Sequence, residues 1–269
     1  MQYARINSTA WCSTAEVLEA IHRSLNAHSL NLPAVAYNES PQEGLKPALI
    51  GASQVIPVQG ILGKHLSGME MACGGCSLEL IQHRINKAFN DSSVKNIVLY
   101  FDSPGGSATG ILELADFIRS ERSKPIYAFT DSVMASGAYW LAAACSGIFA
   151  TPSSYVGSIG VYRAIIDYSE QYAQDGLKLV LFQAGKFKAA GLEGSSLTQE
   201  QAELMQLQVD AVYTQFTGAI KRYRSKVSRT SMEGQVMNSA DAVKSHLVDE
   251  IIPGIDSLLT ELNPRFSAP

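Results

Sequence analysis

The sequence has no apolar run that approaches the roughly 18 residues of a membrane-spanning helix. Its opening stretch, MQYARINSTAWCSTAEVLEA, becomes polar and acidic where a secretory signal peptide needs an apolar centre. These absences argue against the membrane and secreted classes. We therefore expect a soluble, cytoplasmic protein with no membrane span in this chain.

An excess of basic residues is also missing. The 269 residues include 21 Lys and Arg against 25 Asp and Glu, so the formal net charge is −4. This balance gives no sign of the basic surface that is typical of nucleic-acid binding, and no nucleic-acid partner is expected. Apolar residues make up 46% and charged residues 17%, as in globular chains. A chain of this length buries a core that needs neither metals nor disulfides.

Cysteine is scarce, with four residues at positions 12, 73, 76 and 145. Cys73 and Cys76 form a CxxC motif, which occurs in redox sites and in halves of zinc sites. A zinc site needs a second pair of ligands, and the sequence has no other CxxC and no paired histidines. A phosphate loop of the form GxxxxGK followed by Ser or Thr is missing as well. We expect reduced thiols at a loop-to-helix junction, and neither a metal nor a cofactor.

Strand-like and helical patterns alternate from residue 48 onwards. The strand-like runs are ASQVIPVQGIL, VKNIVLYF, PIYAFT, GIFAT and LKLVLFQ, and helical runs such as SLELIQHRINKAF, ILELADFIRSER and AYWLAAACS lie between them. A long helix is predicted over 198–224, because Thr198 and Gln201 form a capping box at its start. The alternation predicts an α/β domain whose parallel strands are joined by crossover helices.

The first 47 residues follow another pattern. Ser13 and Glu16 form a capping box before VLEAIHRSL, so a short helix is predicted over 14–27. The next stretch, NLPAVAYNESPQEGLKP, is typical of a linker or arm because Pro, Asn, Ser and Gly recur in it. We therefore divide the chain into an N-terminal helix and arm, residues 1–47, and a single domain, residues 48–269.

Two glycine-rich loops follow predicted strands, at the edge of a parallel sheet where binding sites form. They are SPGG, residues 103–106, and MASG, residues 134–137. Paired glycines let backbone N–H groups turn toward a cavity, and such groups at a helix start bind anions. Ser136 is then either the N-cap of the following helix or a nucleophile at a strand-to-helix junction.

A serine nucleophile needs a base. The five histidines lie outside the glycine-rich loops and are expected on the surface or on helix faces (positions 22, 28, 65, 83 and 246). The other base compatible with serine is a desolvated lysine, whose pKa has to fall from about 10.4 toward neutrality. Lys186 and Lys188 lie in AGKFKAAG, the loop after LKLVLFQ. On the residues alone, two exposed lysines of a flexible loop are the favoured interpretation.

Four motifs in a fixed order carry a family resemblance: SPGG, MASGAYW, GSIGV and GKFK. Together they resemble the signal peptide peptidase A family of serine–lysine peptidases, a group that includes the phage prohead maturation proteases. The resemblance covers roughly residues 50–252 and includes the ending ADAVKSHLVD, residues 240–249, which is similar to the family's A-x-x-x-G-L-V-D pattern. SPGG alone is shared with Clp-type peptidases and crotonase-like enzymes, so the ordered set carries the resemblance.

The resemblance implies a Clp/crotonase-like spiral of β-β-α units with a mainly parallel sheet, and a role for each matching residue. Ser136 matches the nucleophile, and Lys188, 52 positions further on, matches the general base. Ser158 matches a serine that hydrogen-bonds the lysine and orients it. Gly105 and Gly137 match the backbone amides of the oxyanion hole.

The neighbouring Lys186 comes two residues too early and would point the other way in an extended segment. Lys188 is followed by AAGLEG, whereas the family usually has a polar residue and then a proline there. The family also assembles rings in which the dyad can be completed across a subunit boundary. A homo-oligomeric ring and a peptide or unfolded-protein substrate are therefore expected.

The leading hypothesis is a serine endopeptidase with an acyl-enzyme intermediate, acting in peptide degradation or in phage capsid processing, within a bacterium or its infected host cell. A crotonase-type acyl-CoA hydratase or isomerase is the alternative, although that chemistry usually needs acidic residues and only Asp131 lies beside MASGAYW. A third hypothesis is a non-catalytic subunit that keeps the fold. The spacing of Ser136 and Lys188 argues against it.

Overall fold

A computed structural model describes residues 11–12, 46–120 and 123–263 of the chain. Its strands are β1 (Trp11–Cys12), β2 (Ala48–Ile50), β3 (Ser53–Gln59), β4 (Ile61–Gly63), β5 (Gly75–Ser77), β6 (Asn96–Ser103), β7 (Gly106–Ser107), β8 (Ile126–Ala135), β9 (Gly147–Ala150), β10 (Tyr155–Gly157), β11 (Val236–Asn238) and β12 (Glu250–Ile251). Its α-helices are α1 (Gly68–Ala72), α2 (Leu78–Asn90), α3 (Ile111–Ser120), α4 (Gly137–Ala143), α5 (Ser169–Gln174), α6 (Gln199–Tyr223), α7 (Ser239–Lys244) and α8 (Ile255–Leu262), with a short 3-10 helix at Arg229–Ser231.

The larger of two sheets has the order β11-β10-β8-β6-β3-β2, with β9 attached to β8 and β12 attached to β9. Its central pairs β3/β6, β6/β8, β8/β10 and β8/β9 are parallel, while β2 and β11 run antiparallel at the two edges. Most residues of β6 are buried, as expected for a strand covered on both faces. The predicted α/β class with a mainly parallel sheet is confirmed, consistent with a Clp/crotonase-like fold.

The smaller sheet has the order β1-β7-β4-β5. Its strands β4/β5 and β4/β7 are parallel, and β1 runs antiparallel to β7. Because β7 follows β6 after two residues, this sheet lies directly beside the carboxyl end of β6.

The main core lies where helices α2 and α4 pack against the larger sheet and helices α3 and α6 pack against α4. Helix α2 has an apolar stripe, Leu78, Ile81, Ile85 and Ala88, at the spacing of one helix face, and begins at the N-cap Ser77. A second apolar cluster joins Leu258 and Leu259 of α8 to Val98 and Phe129 of the sheet. The sheet is thus covered on both faces, as parallel sheets require.

The predicted long helix is confirmed as α6. The Thr198 hydroxyl accepts a hydrogen bond from the Gln201 backbone N–H at 3.2 Å, and the Gln201 side chain accepts one from the Thr198 N–H at 3.1 Å. This is the capping box that the sequence predicted.

The structure also bears on other predictions from the sequence. The run LKLVLFQ, residues 177–183, forms no strand, although its composition favours one, and its residues are exposed. Strand β8 continues to Ala135, so the stretch DSVMA belongs to the strand rather than to a loop. The predicted helix over 14–27 lies outside the described residues, and the boundary at residue 47 stays a prediction. No helix in the described part of the chain is long and apolar enough to cross a membrane.

Candidate active site

Ser136 joins the end of β8 to the start of α4. Its backbone has φ 53° and ψ −121°, a conformation that side-chain-bearing residues rarely adopt. The residue is 1% exposed, and its Oγ has no hydrogen-bond partner among the described residues. Ser136 occupies the N-cap position, but its side chain makes no capping bond, so the N-cap interpretation is wrong for the hydroxyl. A strained, buried and unpartnered hydroxyl is the pattern that often marks a functional site.

Ser158 lies next to Ser136. Strands β8 and β10 are parallel with Ala135 opposite Gly157, so the two serines follow equivalent positions on strands about 4.8 Å apart. The Ser136 N–H donates to the Gly157 carbonyl at 2.7 Å, and the Ser158 N–H donates to the Gln235 carbonyl at 2.8 Å. Ser158 is also buried and has φ 52°. Each of these two adjacent strands is thus followed by a serine with a positive φ.

The predicted oxyanion donors lie at the same edge. Gly137 is the first residue of α4, so its N–H is one of the amides that a helix leaves without an intrahelical acceptor. Gly105 follows β6, whose Ser103 pairs with Met134 of β8. Gly105 has φ 96°, and its N–H makes a 3.2 Å bond to the Ser103 hydroxyl. Four of the five predicted site residues, all except Lys188, therefore meet at the carboxyl ends of β6, β8 and β10.

Ser103 is a residue that the sequence reasoning overlooked. Its fully buried hydroxyl donates to the Gly60 carbonyl at 2.6 Å and accepts from the Gly105 N–H. The side chain thereby fixes the loop that carries Gly105 against the smaller sheet. The sequence signal that could have identified Ser103 is its polar side chain just after the apolar run NIVLYF.

Lys188 is not brought to the other site residues within one chain. It lies in a series of turns, with its N–H donating to the Gly185 carbonyl at 3.0 Å, and its side chain is exposed. The lysine segment is therefore not extended, so the condition under which Lys186 and Lys188 would point in opposite directions is not met. Since the Ser136 Oγ has no partner, no bond joins it to this lysine.

Lys186 is held elsewhere. Its ammonium pairs with Glu200 at 3.0 Å and lies over the Phe187 ring at 4.8 Å. Its carbonyl accepts a 3.1 Å bond from Gln201, which places the lysine segment at the start of α6.

Helix α6 contacts α4 through its later turns, away from the start of the helix where the lysine segment lies. Phe216 stacks on Trp140 with ring centroids 4.4 Å apart and an interplanar angle of 4°. Gln201 and Phe216 are 15 positions apart, which corresponds to roughly 22 Å of helix. The lysine segment and the helix that begins after Ser136 thus contact α6 at separate places.

The closing motif, residues 240–249, has a structural task. Asp249 accepts two hydrogen bonds from the Arg224 guanidinium, at 2.6 and 2.9 Å, and one from the Ile148 N–H at 2.8 Å. The Tyr139 hydroxyl donates to the Leu247 carbonyl at 2.9 Å, and burial raises the pKa of that tyrosine. The Tyr139 bond attaches the motif to α4, and so supports the helix that carries Gly137.

The histidine and cysteine side chains that the structure describes do not join this site. His65, His83 and His246 are exposed, as predicted, while His22 and His28 lie outside the described residues. Cys73, Cys76 and Cys145 are free, and burial raises the pKa of Cys76 to about 11. Among the described residues, no group of three or more His, Cys, Asp or Glu side chains is placed to hold a metal ion.

Comparison with known proteins supports the motif-based resemblance. The sequence model of peptidase family S49 matches residues 118–264, more than half of the chain. Three relatives show how the similarity extends beyond that segment.

The head-tail preconnector protein of Enterobacteria phage P21 is 30% identical over 257 residues, covering 89% of this chain and 51% of that protein. Capsid assembly protease C of Escherichia phage lambda is 26% identical over 224 residues, covering 82% and 51%. A putative signal peptide peptidase SppA of Enterococcus faecium is 29% identical over 184 residues, covering 65% and 52%. The chain thus spans about half the length of these curated relatives. They give no support for the crotonase-type alternative.

Proposed function

Because the chain belongs to peptidase family S49, we propose that it is a serine endopeptidase with Ser136 as nucleophile and Lys188 as general base. The observation that carries the proposal is the Ser136 hydroxyl, which is buried, unpartnered and held in a strained conformation beside Ser158 and two glycine amides. A structural serine in this position would be expected to make a hydrogen bond, because a buried hydroxyl without one is costly.

The proposed reaction begins with attack of the Ser136 Oγ on a peptide carbonyl while neutral Lys188 takes the hydroxyl proton. The N–H groups of Gly105 and Gly137 stabilise the tetrahedral oxyanion, each contributing about 3 kcal/mol. For Gly105 this requires its long 3.2 Å bond to Ser103 to yield to the stronger acceptor. Protonated Lys188 then donates to the leaving amine, and water releases the acyl-enzyme. Ser158 orients the lysine.

The dyad is proposed to form in a homo-oligomer. All residues from Ala173 to Lys188 are exposed in the single chain, including the apolar Val180 and Phe182, which are 64% and 92% exposed. Such a patch is typical of a protein interface. A second copy covering this segment would remove water from Lys188 as well, and burial is what favours the neutral amine that a base must be.

The substrate is proposed to be an extended or unfolded polypeptide. Two roles fit the family: processing of a capsid precursor and degradation of peptides or signal peptides. The phage relatives match 89% and 82% of this chain, against 65% for the signal peptide peptidase relative. This coverage favours capsid-precursor processing, within the cytoplasm of an infected cell.

The dyad is tested by incubating the wild type and single variants with an unfolded protein and following the fragments by mass spectrometry. Ser136→Ala and Lys188→Ala are each expected to lose cleavage by at least about 1000-fold, as for catalytic groups that act as a unit. Lys188→Arg should be equally inactive, because arginine keeps the charge but does not deprotonate.

Lys186→Ala is the matched control and should keep activity within about threefold, since exposed ion pairs contribute little. Ser136→Ala should keep its melting temperature or raise it, because the variant removes a buried, unpartnered hydroxyl. Full activity in Ser136→Ala or in Lys188→Ala would refute the dyad.

A further inference from the structure

Strand β1 places the beginning of the chain beside the candidate active site. Trp11 and Cys12 run antiparallel to β7, with Trp11 opposite Ser107 and Cys12 opposite Gly106. Strand β7 in turn follows directly after Gly105, the proposed oxyanion donor. Residues far apart in the sequence are therefore paired at the strand that directly follows Gly105.

The backbone of Gly106 faces β1 rather than the rest of the sheet. On its other side, β7 is parallel to β4 with Leu62 opposite Gly106, and the Leu62 N–H donates to the Gly105 carbonyl at 2.8 Å. In such a parallel pair, the two residues that flank Gly106 make the hydrogen bonds to β4. The N–H and C=O of Gly106 itself therefore point away from β4. Cys12 is the residue opposite these two groups.

We propose that the edge of β7 that faces away from β4 is a binding site for an extended peptide, and that Trp11–Cys12 of the chain itself occupies it as the resident ligand. Adding a strand to a sheet edge is a general way to bind a peptide through its main chain. The inference rests on the proposed function, because the peptide whose carbonyl reaches Ser136 would have to pass the same edge. The N-terminal residues and the substrate therefore compete for Gly106.

A two-residue strand is a displaceable ligand. It contributes few main-chain hydrogen bonds, and isolated short strand pairs are only marginally stable. The N-terminal segment consequently weakens substrate binding without abolishing it, and acts as a built-in competitive inhibitor.

The matched variants are Cys12→Pro and Cys12→Ala in the full chain. Proline removes the N–H that faces Gly106, whereas alanine keeps the whole backbone and removes only the thiol. With a short reporter peptide, Cys12→Pro is expected to lower KM by about 2- to 10-fold with kcat unchanged, the effect of one lost hydrogen bond. Cys12→Ala should behave as the wild type. Equal KM values for all three proteins would overturn the competition.

Amide hydrogen exchange tests the occupancy without any catalysis. Measured in the Ser136→Ala background, the Gly106 amide should exchange faster in Cys12→Pro than in Cys12→Ala. The Leu62 amide, which donates to Gly105, should be unchanged and reports that the sheet is intact. Equal protection of Gly106 in both proteins would overturn the proposal.

A synthetic peptide of residues 7–16, NSTAWCSTAE, supplies a binding probe. Added to Cys12→Pro in the Ser136→Ala background, it should restore protection of Gly106, and absence of that effect would count against the site. If the wild type cleaves no peptide, the proposed function fails, yet the exchange and peptide-binding results still decide whether β1 occupies the edge of β7.

Discussion

At the scale of single residues, the site concentrates features that cost stability. Ser136 and Ser158 both have positive φ, and each such residue costs on the order of 1–3 kcal/mol. The buried Ser136 hydroxyl adds an unmet hydrogen bond. Since every residue of α4 and the last two residues of β8 are buried, the structure can hold Ser136 in place. Strain concentrated at one point is therefore consistent with a nucleophile kept ready for reaction.

Substitution of Gly106 tests the geometry of the loop that carries the proposed oxyanion donor Gly105. A Cβ at this position would lie 2.0 Å from the Leu62 carbonyl oxygen and 2.5 Å from the Leu62 nitrogen, so β7 would have to move away from β4. Because that movement displaces Gly105, Gly106→Ala is expected to lower kcat by about 100-fold or more, the cost of losing an oxyanion donor. The measurement is steady-state cleavage of a reporter peptide.

Gly68→Ala is the control for this prediction. A Cβ at Gly68 meets nothing within 4 Å, and alanine is a good helix former. This variant should therefore keep wild-type kcat. An active Gly106→Ala protein would show that the loop does not supply the oxyanion hole.

At the scale of secondary-structure elements, the junction between β8 and α4 is decisive. The strand continues to Ala135, and α4 begins at Gly137, so one residue makes the whole turn. Every residue of α4 is buried, and Trp140 stacks on Phe216 of α6. The position of the serine thus depends on the packing of a short helix that has no exposed face.

We predict that Phe216→Ala lowers the free energy of unfolding by about 3–5 kcal/mol, because it empties a fully buried aromatic site against Trp140. Urea denaturation followed by circular dichroism measures the change. Leu207→Ala lies on the same helix but is 66% exposed in the wild type, and should change stability by less than about 0.5 kcal/mol. Similar losses in the two variants would contradict the proposed support of α4 by α6.

At the scale of the whole molecule, the main feature is the segment from Ala173 to Lys188, whose residues are left exposed in a single chain. It combines large exposed apolar side chains with a sequence that favours a strand. The segment also leads into the candidate base. If a second copy of the chain covers this segment, assembly and catalysis are coupled.

The double variant Val180→Asp/Phe182→Asp tests this coupling. Two carboxylates on the segment should prevent a second copy from covering it, because burying a charge without a partner is costly. Analytical ultracentrifugation should show an oligomer for the wild type and a folded monomer for the variant, with peptide cleavage lost together with assembly.

Met69→Asp, at another exposed position (71%), is the control and should stay assembled and active. A double variant that is monomeric and fully active would show that one chain completes the dyad alone. A monomeric wild type would refute the oligomer directly.

The α/β class, most of the core strands and helices, and the serine at the strand-to-helix junction could be predicted from the amino-acid sequence. These features depend on local patterns: apolar runs such as NIVLYF, the capping box of α6, and a glycine pair after a strand. The family motifs added Ser158 and selected Lys188 over Lys186, and no local pattern distinguishes these residues from ordinary loop residues.

The tertiary structure decided which of these residues are neighbours. Strand register brings Ser136, Ser158 and Gly105 to one edge, and it shows that Ser103 fixes the glycine loop. In the described part of the folded chain, LKLVLFQ has no partner strand and Lys188 is exposed, although the composition of that run predicted a strand. The physical reason is that a strand needs a partner edge, and composition states a preference for pairing without saying where, or on which chain, that partner lies.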